Sequence, residues 1–414
     1  MRFDNVVKIY RPNTTSRSYM TEMDGLRCVH YGDIYKNYTG RELKSSDIIN
    51  SISIEFPESK IIRQNAIIIA DVSETIDDWG HVTFIKFDGT PYINGTHTFA
   101  IVCDCETTLK YLFYYFRNDA SIKTLRQFLT GVTVFQMSIK SLSSFKLELP
   151  PLPTQTRFAE ILSAYDDAIE NNNRRIVLLE KAARELYREW FVRFRFPGHE
   201  DAEFMNGLPE GWDVVSFGSL AYIIDGDRGV NYPKQDEFSP EGYCLFLNAG
   251  NVTKNGFDFN SNAFITEEKD KILRKGRLVR NDIVLTTRGT VGNVAFFNKY
   301  IPYEVMRINS GMVILRDSSE VSPEFLYITL RSDSIQKMIE LYSSGSAQPQ
   351  LPIKDMRKMR IIKPTVEILS RFTDIVSDML SQSALLHNQS QNLARQRDLL
   401  LPRLMSGKLV VQAR

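Results

Sequence analysis

The chain is poor in the residues that mark secreted, metal-centred or membrane-embedded proteins. It has four cysteines in 414 residues, Cys28, Cys103, Cys105 and Cys244. None forms a CxxC pair, and Cys103 and Cys105 are too close for an easy disulfide. This pattern excludes a disulfide-stapled scaffold or a zinc ribbon and predicts reduced thiols in a cytoplasmic protein. Five histidines (His30, His81, His97, His199, His387) lie scattered, without the neighbours that a catalytic triad requires. No GxGxxG, GxxxxGK[ST], HExxH or GxSxG occurs. The apolar runs, such as 67–70, are far shorter than the ~20 residues that cross a bilayer, so a membrane is not an expected partner. The opening MRFDNVVKIYRPN has no apolar core of a signal peptide.

Charge of one sign is also missing: 51 Lys and Arg stand against 50 Asp and Glu, a net +1. Local excesses exist. Residues 270–307 hold eight cations against three anions, a balance of +5, and residues 353–363 and 117–146 each balance to +4. Such stretches suit phosphate contact, although on charge alone a solvated face is the favoured reading.

What is present is a repeat. Leu112, Arg117, Asp119 and Lys123 match Leu326, Arg331, Asp333 and Lys337; Gly131, Gln136, Ile139 and Lys140 match Gly345, Gln350, Ile353 and Lys354. Pro150, Arg157, Phe158 and Ile161 match Pro364, Arg371, Phe372 and Ile375, all at one offset (326 − 112 = 214). This is too long for a solenoid period of roughly 20–50 residues. It predicts two similar half-molecules with internal pseudo-two-fold symmetry. Runs at 65–70, 82–87 and 98–103 read as strands, with Asp88-Gly89 as a hairpin turn. Runs at 282–286, 294–297 and 311–315 repeat them. Segments 109–129 and 323–341 read as helical.

Each half ends in a long helix. After Pro150-Pro151-Leu152-Pro153, Thr154 or Thr156 supplies an N-cap. Apolar residues then alternate at heptad spacing: Phe158, Leu162, Tyr165, Ile169, Asn172, Ile176, Leu179, Ala183, Leu186, Trp190. Asn172 is the polar interruption that sets register. Adding 214 gives Phe372, Val376, Met379, Ser383, Leu386, Ser390, Leu393, Arg397, Leu400 and Leu404. Pro402 should end or kink this second helix, and Gly407 sits where its cap belongs. Two matching seams predict that the helices pair antiparallel.

Polar, glycine-containing loops recur at matched places: 71–74 and 130–136, then 286–290 and 343–350. Arginine pairs bidentately with guanine and glutamine with adenine, while Ser and Thr reach base or phosphate. Candidate DNA contacts are Ser73, Thr133 and Gln136 in the first half, and Thr287, Arg288, Ser346, Gln348 and Gln350 in the second. A competing pattern, Asp258 with Glu267 and Lys269, faintly matches a Mg-dependent nuclease. A third reading is a coiled-coil scaffold that binds protein only.

In the order of its motifs the chain resembles the specificity subunits of type I restriction–modification systems over nearly its whole length. The carrying stretches are Leu208-Pro209-Glu210-Gly211-Trp212, Ile68-Ile69-Ala70-Asp71 through Trp79-Gly80 and Asn94-Gly95-Thr96-His97-Thr98, and Val284 through Gly292. Leu149-Pro150 and Ile362-Lys363-Pro364 lead into the long helices. Leu186 through Phe194 and Arg403 through Leu409 close them. Thr154-Gln155 and Ile368-Leu369 depart from the Glu-Gln common at the helix starts.

The resemblance implies an α+β fold of two mixed α/β target recognition domains (1–150 and 200–363) separated by two long antiparallel coiled-coil helices (151–199 and 364–414). It implies a non-enzymatic subunit that reads a bipartite, asymmetric site in double-stranded DNA. Two adenine methyltransferase subunits and a restriction/translocase subunit would be its partners. S-adenosylmethionine, Mg and ATP would reside on those partners, and no cofactor or metal on this chain.

Overall fold

The structure, a computed structural model, describes residues 1–15, 17–21, 25–345 and 349–409. The chain divides into two compact units, Met1–Asn171 with the stretch from Ser390 onward, and Asn172–Gln389.

The first unit is built on a five-stranded sheet in the order Lys8–Tyr10, Thr98–Val102, Ala66–Ala70, Val82–Lys86, Glu42–Lys44. All neighbours are antiparallel except the last pair. Ala66–Ala70 is buried at every residue, which explains its unbroken apolar run. The two-residue period divides it. Ile67 and Ile69 join a cluster with the helix Glu106–Arg117, Phe158 and Leu404, while Ala66, Ile68 and Ala70 face a second cluster with Ile34 and Tyr38.

The second unit repeats this plan: Ala221–Asp225, Met312–Asp317, Ile283–Thr286, Val294–Phe296, all antiparallel. Ile283 and Leu285 again face one cluster and Val284 the other. A smaller sheet lies in each unit. Its shared element is a parallel pair, Leu26–Val29 with Tyr92–Asn94 and Cys244–Leu247 with Met306–Ile308.

Register shows how far the repeat extends. Lys8 pairs with Val102 and Tyr222 with Arg316 (222 − 8 = 316 − 102 = 214). Thr98 pairs with Ala70 and Met312 with Thr286, so 98 keeps the 214 offset while 70 moves to 216. Small insertions thus cancel within each domain.

Asp88-Gly89 does not make a hairpin. Val82–Lys86 and Thr98–Val102 are separated in their sheet by Ala66–Ala70, and the strand after the turn, Tyr92–Asn94, joins the smaller sheet. Asp88 instead accepts hydrogen bonds from the hydroxyls of Ser45 and Ser46 and from the Thr90 amide. The Ser46 and Ser45 hydroxyls hold its carboxyl well below the usual range.

The central helix spans Leu152–Tyr187 and continues as a π-helical turn, Arg188–Val192. It starts before Thr154, because Pro153 occupies the first turn, where no N–H is needed. Gln155 donates to the Pro150 carbonyl, and the Thr156 hydroxyl bonds back to Leu152 rather than capping. The C-terminal helix spans Val366–Met405. Pro402 neither stops it nor ends it early: the one bond it forfeits lies in the last turn, and Gly407 (φ +69°) closes the end by donating to Leu404.

Every seam position in both helices is buried or half-buried. In the first unit Asp166 meets Arg397 at 2.6 Å, and in the second Asn172 donates to Gln389 at 3.3 Å. Trp190 and Phe191 pack at steep angles against Phe372, at 5.9 and 4.8 Å between ring centroids. Residue numbers sum to about 562 in each pairing, so the segments run antiparallel inside each unit. Trp212 and Phe325 complete that aromatic cluster around Phe191.

All four cysteines are free thiols. Burial pushes Cys28 and Cys244 up to about 12, which keeps both protonated. Among the described residues no helix is long and apolar enough to cross a membrane.

Candidate nucleic-acid interface

In each unit the central strand of the main sheet delivers the chain into a cluster of loops. After Ala70, Asp71 donates its amide to the His97 carbonyl and accepts from the Met137 amide and the Trp79 indole. Val72–Ser73 then pairs with Phe135–Met137, which forms a hairpin with Leu129–Thr130. Gly131 makes that hairpin possible: at φ +130° any Cβ would lie 1.9 Å from the Val134 carbonyl oxygen. Thr133 and Gln136 are exposed. Ser73 is buried and accepts from the Thr75 amide, so it shapes the turn.

The second unit uses the same wiring. Thr287 donates its amide to the Gly311 carbonyl and accepts from Leu351. Comparison with the bonds of Asp71 equates Asp71 with Thr287, His97 with Gly311 and Met137 with Leu351; the last two pairs keep the 214 offset. Arg288 forms an isolated antiparallel bridge with Gln350, which also bridges Ser344. Arg288 is therefore brought beside Gln350, as Val72 is paired with Gln136 in the first unit, where Ser73 pairs with Phe135. Thr287 is buried, its hydroxyl spent on Gly311. Ser346 and Gln348 lie outside the described residues.

Two further loops join these clusters and carry no sequence pattern. In the second unit 226–232 presents Val230, 96% exposed, and places Arg228 against the Ser310 carbonyl. Its turn is held by Asp227. Burial pushes the Asp227 carboxyl up, but the amides of Arg274, Arg228 and Lys275 outweigh that and hold it low. In the first unit Asn13 donates to the Asn94 carbonyl, and the Thr15 amide donates to the Thr96 hydroxyl. The signal that finds both loops is the offset itself, since residue 13 plus 214 is 227.

Matched arginines fasten each recognition unit to the long helices. Arg117 binds Asp166 at 2.6 Å, and Asp166 also takes Arg397 and the Tyr114 hydroxyl. Burial pushes the Asp166 carboxyl up, yet the two guanidiniums win and hold it below the usual range. Arg331, 214 residues after Arg117, binds Glu180 at 2.9 Å and contacts the Tyr327 hydroxyl.

Two of the eight cations at 270–307, Arg307 and Arg280, are spent on internal partners, while Lys271, Arg274, Lys275, Arg277 and Lys299 are exposed. Arg307 is buried with Asp270 and donates to the carbonyls of Lys275, Asp270 and Leu273. Arg280 donates to the carbonyls of Asn298, Ile301 and Tyr303. Lys271 pairs with Glu267.

The nuclease pattern finds no support. Lys269 binds Glu237, Glu267 binds Lys271, and Asp258 holds Asn260. Among the described residues no group of three His, Cys, Asp or Glu could hold a metal ion.

The family model described as the type I restriction modification DNA specificity domain matches residues 27–181 and again 209–395. The MjaIX type I restriction enzyme specificity subunit of Methanocaldococcus jannaschii is 28% identical over 311 residues, covering 73% of this chain and 69% of that protein. The HindI specificity subunit of Haemophilus influenzae is 24% identical, covering 92% and 94%. Among solved structures, a type I restriction–modification S subunit from M. genitalium superposes with TM-score 0.58 at 15% identity, covering 98% of this chain and 95% of the other. That likeness concerns the fold. The two family matches fall on the two repeats and together take in most of the chain, and on that ground the chain belongs to the type I restriction–modification DNA specificity family.

Proposed function

We propose that this chain is the sequence-reading subunit of a type I restriction–modification complex, each loop cluster reading one half of a bipartite, asymmetric site in double-stranded DNA. The observation that carries this is the doubled loop cluster: one backbone wiring at a 214-residue offset, with different side chains at its outer positions. Thr133 and Gln136 are the base-reading candidates of the first cluster, and Arg288 and Gln350 those of the second, with Ser73 and Thr287 shaping the loops that carry them. Ser346 and Gln348 belong to the same reading by position. Recognition domains at 1–150 and 200–363, with helices at 151–199 and 364–414, describe this division of labour.

The paired helices would serve as a spacer and as docking surfaces for two adenine methyltransferase subunits. Val177, Leu178, Leu385 and Leu399, each more than half exposed on the helices, support such docking. A restriction/translocase subunit would complete the complex in the cytoplasm. S-adenosylmethionine, Mg and ATP chemistry would belong to the partners. Those partners would flip the target adenine.

The test is methylome sequencing of cells that carry this chain with its methyltransferase partner. A two-part motif with a fixed unread spacer is expected. A single uninterrupted motif, or methylation independent of this chain, would overturn the reading.

A further inference from the structure

Asp71 is the anomaly of the first loop cluster. It is 1% exposed, and among the described residues its Oδ1 has no hydrogen-bond partner. Close to that oxygen is the half-exposed His97, whose Nδ1 lies 3.6 Å away in a residue held at φ +59°. The other carboxylate oxygen accepts from Nε2 of Gln136 at 3.4 Å. Burying a carboxylate with an unpaired oxygen is costly, and burial pushes this carboxyl up. Fold maintenance does not require it, because the equivalent residue in the second unit is Thr287, whose hydroxyl turns to the Gly311 carbonyl instead.

A carboxylate only accepts hydrogen bonds, whereas a glutamine amide offers one acceptor and two donors. Facing Asp71, Gln136 must point its NH2 inward. Its carbonyl oxygen and remaining N–H then form an outward edge of fixed sense. An acceptor beside a donor is what pairs bidentately with N6 and N7 of adenine. In the second unit no carboxylate stands where Asp71 does, so Gln350 is not oriented in this way.

We infer that Asp71 is a positioning residue that sets the amide of Gln136 to read an adenine in the first half-site. This rests on the proposed reading of bipartite DNA. The same residue type, at positions 136 and 350, therefore serves the two halves differently: oriented by a buried carboxylate in the first and by none at the matching place, Thr287, in the second.

The test uses the chain assembled with its methyltransferase partner. Methylation rates are measured on duplexes in which each base of both half-sites is varied in turn. Asp71→Asn is nearly isosteric but can donate as well as accept, so both senses of the Gln136 amide become available. Preference for adenine should fall about tenfold at one position of the first half-site, with the second half-site unchanged. Gln136→Ala should relax that same position. An unchanged preference in Asp71→Asn, effects of the two variants at different positions, or an equal loss at both half-sites would each overturn the inference. A wild-type chain with no two-part preference would instead remove the reading beneath it.

Discussion

The two repeats share a skeleton and differ in how they fasten and finish it. Arg117 and Arg331 occupy the same place, yet one closes on Asp166 and the other on Glu180. Asp166 also neutralises Arg397, giving a partly buried cation–anion–cation chain, whereas Arg331 leans on the Tyr327 hydroxyl and the Lys254 carbonyl. The loops diverge further: Asp71 against Thr287, His97 against Gly311. Backbone wiring tolerates these exchanges because its bonds run through amides and carbonyls that every residue supplies. Side chains at the same points can vary without moving the loop. A duplicated domain can in this way keep its shape and change what it touches.

The sharpest way to separate shape from sequence is to alter the helices alone. Removing one heptad from the central helix between Ile169 and Ile176, with the facing heptad between Leu386 and Leu393, keeps both seams in register. It shortens the pair by about 10 Å at ~1.5 Å per residue, close to three base pairs. Methylome sequencing should then report the same two half-sites across a shorter spacer and no methylation at the original site. An unchanged motif would show that the helices do not set the spacing.

The fastening contacts predict an asymmetry in stability. Asp166→Ala leaves Arg117 without its anion and Arg397 with only the exposed Asp398, and breaking this partly buried group should cost about 3 kcal/mol, the low end for a buried pair. Glu180→Ala leaves Arg331 its tyrosine and carbonyl partners, so a loss of about 1–2 kcal/mol is expected. Calorimetric unfolding of the two variants compares them directly, and equal losses would erase the distinction drawn here. Arg288→Ala should be smaller again in stability but selective in function. It should cost about 1–3 kcal/mol of discrimination at one base of the second half-site and nothing in the first. Uniform weakening on all duplexes would make Arg288 a phosphate contact.

How much of this was legible beforehand follows from the physics of each signal. The helices were readable because burial repeats every 3.5 residues for many turns. The strands 66–70 and 283–286 were readable as apolar runs, but not their partners, since pairing depends on distant segments. Asp88-Gly89 looked like a hairpin because turn chemistry is local while sheet membership is not. The charge excess at 270–307 is overcounted for a similar reason: sequence includes Arg307 and Arg280, but only folding shows their guanidiniums spent on internal carbonyls. The 226–232 loop carries no motif and is reached only through the repeat offset, and the pairing of Asp71 with Gln136 was invisible because it exists only where the sheet strand and the hairpin come together.

The smallest effect separates Asp71 from Asp166 by the sign of its pH dependence. Asp166 is held low, so its contribution is present at neutral pH and is lost as pH falls through its folded value. Asp71 is raised by burial, so the folded state binds its proton more tightly than the unfolded chain does. Its penalty is therefore full at neutral pH and eases as pH falls through its folded value toward the ordinary carboxylate range. Asp71→Asn removes a titrating group, so the variant should be somewhat more stable than wild type at neutral pH. That advantage should shrink on acidification. Paired thermal melts at stepped pH measure it, and an advantage that grew as pH fell would mean that Asp71 is favourably ionised and not held for recognition at a cost to stability.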